Sequence, residues 1–274
     1  MTPKLSDTGI KAPLADTIAI MAQHVDVVHF GDTDHKTLEA IKIVANPAML
    51  AKLASAGITE IMLEVYATKQ YAVNEYKNKA MSRPDFASLT KGAWNENTGE
   101  YTADLVDNGV DFGMEIHFVD PRADRETPNN AEEYEQEHLE TVVNDQDLAK
   151  NIDTALAGKK GLLIYGNDHG AYDINTDLNA ALQSSYAEIE VWESRKKFEE
   201  LYIFDAELER DFFPKIAAIK KEPPELVYFL DEGKVYMTDD TPEAMKQDIL
   251  AKFGNAVTPP VIPANHPHPA PSTP

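Results

Sequence analysis

Four short apolar runs of this 274-residue chain end in acidic or imidazole side chains, the residue types that transfer protons or hold ions. Residues 25–30 (VDVVHF) lead into Gly31, Asp32, Asp34 and His35, and Glu64 closes the run IMLEV at residues 61–65. Residues 110–119 (VDFGMEIHFV) carry Glu115 and His117 and lead to Asp120 and Arg122. Residues 161–165 (GLLIY) enter Gly166-Asn167-Asp168-His169-Gly170. An imidazole titrates near pH 6.5, and a glutamate pushed upward by burial approaches the same range, so such groups suit general acid–base work on water. Asp32, His35, Glu64 and His169 form the candidate catalytic set, with Asp120, Arg122, Glu115 and Asp168 as candidate substrate contacts. The four catalytic candidates are equally a donor set for a divalent ion, Mn, Zn, Fe or Ca, which would lower the pKa of bound water.

Each residue has a structural role to set against the chemical one. Asp32 and Asp34 can cap a following helix through backbone N–H groups. Asp120 and Arg122 can pair across a turn. Glu64 is harder to place, because a carboxylate in an apolar strand needs either a function or a specific ion pair. Asp168 and His169 lie between two glycines, where the backbone can approach a ligand closely. His24, His29, His138, His266 and His268 read as structural or exposed.

The elements that must position these residues alternate between strand and helix. The runs at 25–30, 61–65, 110–119 and 161–165 read as strands. Between the first two, Leu38, Ile41 and Val44 have helical spacing. A second helix restarts at Asn46-Pro47, a cap followed by a proline suited to the first turn, and Gly57 stops it. Residues 71–81 read as helix, 94–102 as loop and 124–130 as a polar surface loop. Leu148, Ile152, Ala155 and Leu156 predict a helix ending at Gly158, and 175–200 reads as another helix, with a possible strand at 201–204. Residues 226–230 and 234–237 flank Asp231-Glu232-Gly233, a hairpin signal. The pattern predicts an α/β fold, a mostly parallel central sheet flanked by helices with a C-terminal β-hairpin. It predicts a single domain over 1–257 and a Pro-rich disordered tail over 258–274. In such sheets ligands bind at the carboxyl ends of the strands, where the four clusters fall.

Composition narrows the function. There are no cysteines, which removes disulfides, thiolate ligands and cysteine nucleophiles. A formal net charge of -22 argues against nucleic acid and anionic membrane as partners, and leaves a small-molecule or peptide substrate. No apolar run approaches the ~20 residues needed to span a bilayer, and the first residues lack a signal pattern, so the expected location is cytoplasmic. There is no Gly-x-Ser-x-Gly elbow, phosphate loop, dinucleotide fingerprint or His-Glu-x-x-His helix.

Four of these motifs, in order, resemble the superfamily that groups erythromycin esterase-like, ChaN-like and TraB/Tiki proteins. They are Gly31-Asp32-Thr33-Asp34-His35, Glu64 in IMLEV, residues 144–152 (NDQDLAKNI) and Gly166-Asn167-Asp168-His169. Asp32 stands where the esterase branch has glutamate, and Asn144 where the family often has arginine. The resemblance covers residues 25–170. It implies a site of acids and histidines above a mostly parallel sheet, with three activities among its members: hydrolysis by water activated with histidine and glutamate, metal-dependent proteolysis and haem binding. The expectation drawn from it is a hydrolase of ester or peptide bonds. In it His35 or Glu64 activates water, His169 protonates the leaving group or stabilises developing charge, and Asp32 orients an imidazole. The alternative is a binding protein for haem or another small ligand, with one of the 11 tyrosines as an axial ligand. A third reading is a partner-binding relative acting through its Pro-rich tail.

Overall fold

The computed structural model describes residues 4–32, 40–91, 97–122, 130–141, 144–166, 169, 175–201, 211, 213–219, 221 and 224–254. His35, Asp34, Asp168 and the Pro-rich tail lie outside the described residues.

An eight-stranded sheet organises them, in the order β1-β8-β7-β6-β2-β5-β3-β4. The strands are β1 (Ile10–Lys11), β2 (Val27–Asp32), β3 (Ile58–Tyr66), β4 (Glu115–Asp120), β5 (Lys160–Gly166), β6 (Tyr186–Trp192), β7 (Leu226–Phe229) and β8 (Lys234–Met237). The strands from β7 to β4 in that order run parallel, while β8 pairs antiparallel with β7 and β1. The α/β class, the mostly parallel sheet and the C-terminal hairpin are therefore as expected from the sequence. The hairpin turns through Gly233, whose φ of 60° is natural for glycine.

Both sheet faces are covered, which explains why the parallel strands read as near-continuous apolar runs. On one face Val28, Phe30, Ile61, Leu63, Leu162 and Ile164 pack against Ile18, Met21, Leu50, Leu53 and Leu105 of the flanking helices. On the other, Val27, Met62, Leu163 and Tyr165 pack against Leu148, Ala149, Ile152 and Leu156 of the helix Gln146–Leu156. The helix Pro47–Ser55 starts as read: Asn46 accepts the Ala48 N–H at 2.9 Å, and Gly57 beyond its end has φ 83°.

Several sequence expectations are corrected. Of the loop expected over 94–102, residues 94–96 lie outside the described residues and the part from Thr98 on belongs to the helix Thr98–Val110, because Thr102, Leu105, Val106 and Gly109 bury one helical face. The strand expected from residue 110 consequently starts only at Glu115, after a turn through Gly113. The helix expected over 175–200 contains β6, preceded by the short helix Leu178–Ala181. Tyr186, Glu188, Glu190 and Trp192 alternate with Ala187, Ile189 and Val191, and the second set joins the main core. Leu201, expected to open a strand, lies in a helix.

Candidate functional site

The carboxyl ends of four adjacent strands, β2, β5, β3 and β4, bring Asp32, Glu64, Asp120, Arg122 and His169 to one end of the sheet. Asp32 is the last residue of β2 and sits in register with Gly166, the last of β5. Glu64, near the end of β3, accepts the Gly166 N–H through Oε2 at 3.0 Å and the Arg122 Nη2 donor through Oε1 at 2.5 Å. Arg122 also donates from Nε to both oxygens of Asp120, at 2.9 and 3.0 Å. Asp120 and Arg122 thus do pair across their turn, as the sequence allowed, and the same guanidinium binds Glu64 from the neighbouring strand. Desolvation works against the Arg122 charge, but Asp120 and Glu64 outweigh it and hold the guanidinium firmly protonated.

His169 follows the end of β5 and is buried, as is its partner Asp145. Its Nδ1 lies 2.9 Å from Asp145 Oδ1. Burial penalises the imidazolium, yet the Asp145 and Glu64 carboxylates overcome that penalty and raise the His169 pKa above 6.5. Burial also raises the Asp145 carboxyl. The pair therefore keeps its proton to higher pH than a free imidazole does. With Nδ1 committed to Asp145, Nε2 has no hydrogen-bond partner among the described residues.

Asp145 carried no role in the sequence reading. It precedes the helix Gln146–Leu156 in a position where an aspartate ordinarily caps, but it makes no side-chain cap bond and turns to His169 instead. Tyr165 was likewise read only as a strand residue. Its ring meets His169 edge-on, with centroids 4.5 Å apart. His29, read as structural, is fully buried in β2: its Nε2 is 3.1 Å from the Tyr165 carbonyl and its Nδ1 2.6 Å from the Tyr186 hydroxyl. A histidine at an inward position of a buried strand was the available signal.

Glu115 does not join the group. As the first residue of β4 it lies at the amino end of its strand, exposed and paired with Lys77 Nζ at 3.0 Å. The strand begins there rather than at residue 110, which puts Glu115 a strand length from Asp120.

The described donors, which do not include His35, fit a divalent ion poorly. Among the described residues no group of three or more histidine, aspartate or glutamate side chains is arranged to hold a metal. Both Glu64 oxygens already accept hydrogen bonds, one from a guanidinium, and His169 directs Nδ1 to Asp145. A cation beside Glu64 would stand against the fixed positive charge of Arg122. For haem, the buried Tyr165 is an unsuitable axial tyrosinate: desolvation and the nearby Glu64 and Asp120 charges push its pKa well above 10. No described helix is long and apolar enough to cross a membrane.

No protein-family model matches the chain, and no curated protein matches it by sequence. Solved structures do. The type III effector HopBA1 aligns with a TM-score of 0.53 at 17% identity, over 70% of this chain and 89% of its own. RRSP, a MARTX toxin effector domain from Vibrio vulnificus CMCP6, aligns with a TM-score of 0.51 at 14% identity, over 86% of this chain and 41% of that one. ChaN of Campylobacter jejuni, a protein with cofacial heme binding, aligns at a TM-score of 0.39 and 14% identity, too remote to bear on this chain. At these identities what is shared is the architecture: this chain has the α/β fold of a type III effector and of a toxin effector domain.

Proposed function

We propose that the chain is a hydrolase of ester or peptide bonds in which the His169–Asp145 pair gives a proton to the leaving group and Glu64 takes one from the attacking water. The observation that carries this reading is the buried 2.9 Å contact between His169 Nδ1 and Asp145 Oδ1, close to a second carboxylate that supports the same charge. A protonated imidazole beside an ion-paired carboxylate supplies an acid and a base at one place, which hydrolysis requires. Arg122 and the Gly166 N–H fix Glu64 in position, and Asp145 fixes the imidazole. The ends of β3, β4 and β5 and the start of the helix Gln146–Leu156 carry these groups, so little reorganisation accompanies the reaction.

Hydrolysis of a panel of p-nitrophenyl esters and peptide p-nitroanilides by wild type and His169→Ala tests the reading. The expected result is a loss of about 10²–10⁴-fold in turnover with an unchanged circular dichroism spectrum. Equal turnover by the two proteins would remove His169 from the reaction, and no turnover by either together with a Soret band on titration with haemin would replace the hydrolase with the ligand-binding alternative.

A further inference from the structure

The Tyr165 hydroxyl is an orphan. The residue is only 1% exposed, and its phenol oxygen has no hydrogen-bond partner among the described residues. The same holds for Asp145 Oδ2, the carboxylate oxygen that His169 does not engage. Buried hydroxyls and carboxylate oxygens are almost always paired, because an unpaired one forfeits its hydration with nothing in return. Two of them flank one imidazole. The ring that carries the hydroxyl lies edge-on to His169 at 4.5 Å between centroids, and its oxygen lies within the fields of Glu64, Asp120, Arg122 and Asp145. Yet the hydroxyl donates to none of the three carboxylates around it. An O–H placed among acceptors and bonded to none of the described ones keeps its capacity to donate.

We infer that the Tyr165 hydroxyl is a further catalytic residue of this site, donating a hydrogen bond to the carbonyl oxygen of an uncharged acyl substrate. The inference rests on the hydrolase reading above and specifies its electrophile. When water attacks the carbonyl carbon, the C=O π electrons move to the oxygen, and the Tyr165 O–H stabilises the resulting oxyanion. As the C–O or C–N bond breaks, the carbonyl re-forms and His169 Nε2 protonates the departing group. The proton released by the attacking water passes to Glu64, and no other reactant is needed. Charge selects the substrate: Glu64, Asp120 and Asp145 outnumber the cations Arg122 and His169, so a phosphate or carboxylate at the reacting centre meets net repulsion. A neutral donor that stays protonated is the group such a site can use for an oxyanion.

Tyr165→Phe removes the hydroxyl and keeps the ring against His169. The kinetics of wild type, Tyr165→Phe and His169→Ala on p-nitrophenyl butyrate, together with their thermal midpoints, test the inference. Expected is a fall of about 10²–10³-fold in kcat for Tyr165→Phe with KM little changed. Its midpoint should be equal to or above that of wild type, since an unpaired buried hydroxyl has been deleted. A hydroxyl with a structural role would give the reverse, a lower midpoint with turnover kept. Wild-type kcat in Tyr165→Phe beside an inactive His169→Ala overturns the tyrosine while leaving the hydrolase reading intact. Wild-type kcat in His169→Ala, or no turnover by wild type, overturns that reading, and the tyrosine inference falls with it.

Discussion

His169 is an imidazole that burial alone would keep neutral, held instead between carboxylates that favour its charge. That balance sets the sign of its pH dependence. As a proton donor it works only while protonated, and its raised pKa extends that state above pH 6.5. The rate should therefore fall as pH rises through the pKa of the pair, at higher pH than a free imidazole would set. Asp145→Asn removes the largest opposing charge, so the falling limb should move to lower pH, with turnover at pH 7.5 reduced and partly recovered on acidification. The His169 imidazole resonances, followed by NMR titration, check this independently of activity. A midpoint that stays put in Asp145→Asn would mean that the pair does not control the proton. At this scale the sequence was informative about Glu64, because a lone carboxylate in an apolar strand demands a partner, and Arg122 supplies it. It was silent about Asp145, because an aspartate before a helix looks like a cap and only the tertiary structure shows His169 taking its carboxylate.

At the scale of elements, β2 shows how a strand can carry a polar residue in its middle. His29 gives Tyr165 and Tyr186 hydrogen-bond partners while neutral, and burial lowers its pKa to about 4. The unfolded chain protonates the same imidazole near pH 6.5. Between those values the unfolded state binds more protons, so stability is lost as pH falls from 6.5 towards 4. At ~1.4 kcal/mol per pKa unit the loss from this one residue is on the order of 3 kcal/mol. His29→Leu should be less stable than wild type at pH 7, having left two partners unpaired, but the gap should narrow steadily towards pH 4. Denaturant midpoints at several pH values measure it, and parallel curves would show that His29 is not the titrating group. The elements themselves were unevenly legible. β2, β3, β5 and the hairpin were visible because both faces of the parallel strands are buried and the hairpin turn carries its glycine. The sequence of β6 resembles a helix because Glu188 and Glu190 look like helix-forming surface residues, whereas both are buried. Trp192 Nε1 donates to Glu190 at 2.9 Å, and the Glu188 N–H donates to Glu225 at 2.6 Å, partners far from evident in a local pattern. The helix Thr98–Val110 had its helical spacing in plain view, but the polar residues ahead of it favoured a loop.

For the whole molecule, parallel pairing aligns the carboxyl ends of the strands, so residues distant in sequence, Asp32, Glu64, Asp120 and His169, share one end of the sheet. The topology follows from the alternation of apolar runs and amphipathic helices, whereas the strand order, with β5 between β2 and β3, is set by packing that no local pattern encodes. The same scale governs charge. The chain carries 47 acidic against 25 basic side chains, so a surplus of 22 negative charges is not neutralised within it. Local networks exist, such as Arg83 among Glu100, Asp104 and Asp107, but they are exposed and contribute little each. Self-repulsion among the surplus therefore outweighs attraction in the dependence on salt. Raising NaCl from ~0.01 to ~0.1 M shortens the screening length from about 30 to about 10 Å, which weakens that repulsion. The thermal midpoint at pH 7 should rise by a few degrees over this range, and the rise should vanish near pH 4.6, the sequence isoelectric point. Differential scanning calorimetry at the two pH values separates the effect from any general action of the salt. A falling midpoint at pH 7 would mean that the exposed ion pairs, rather than the surplus negative charges, dominate the electrostatics of the fold.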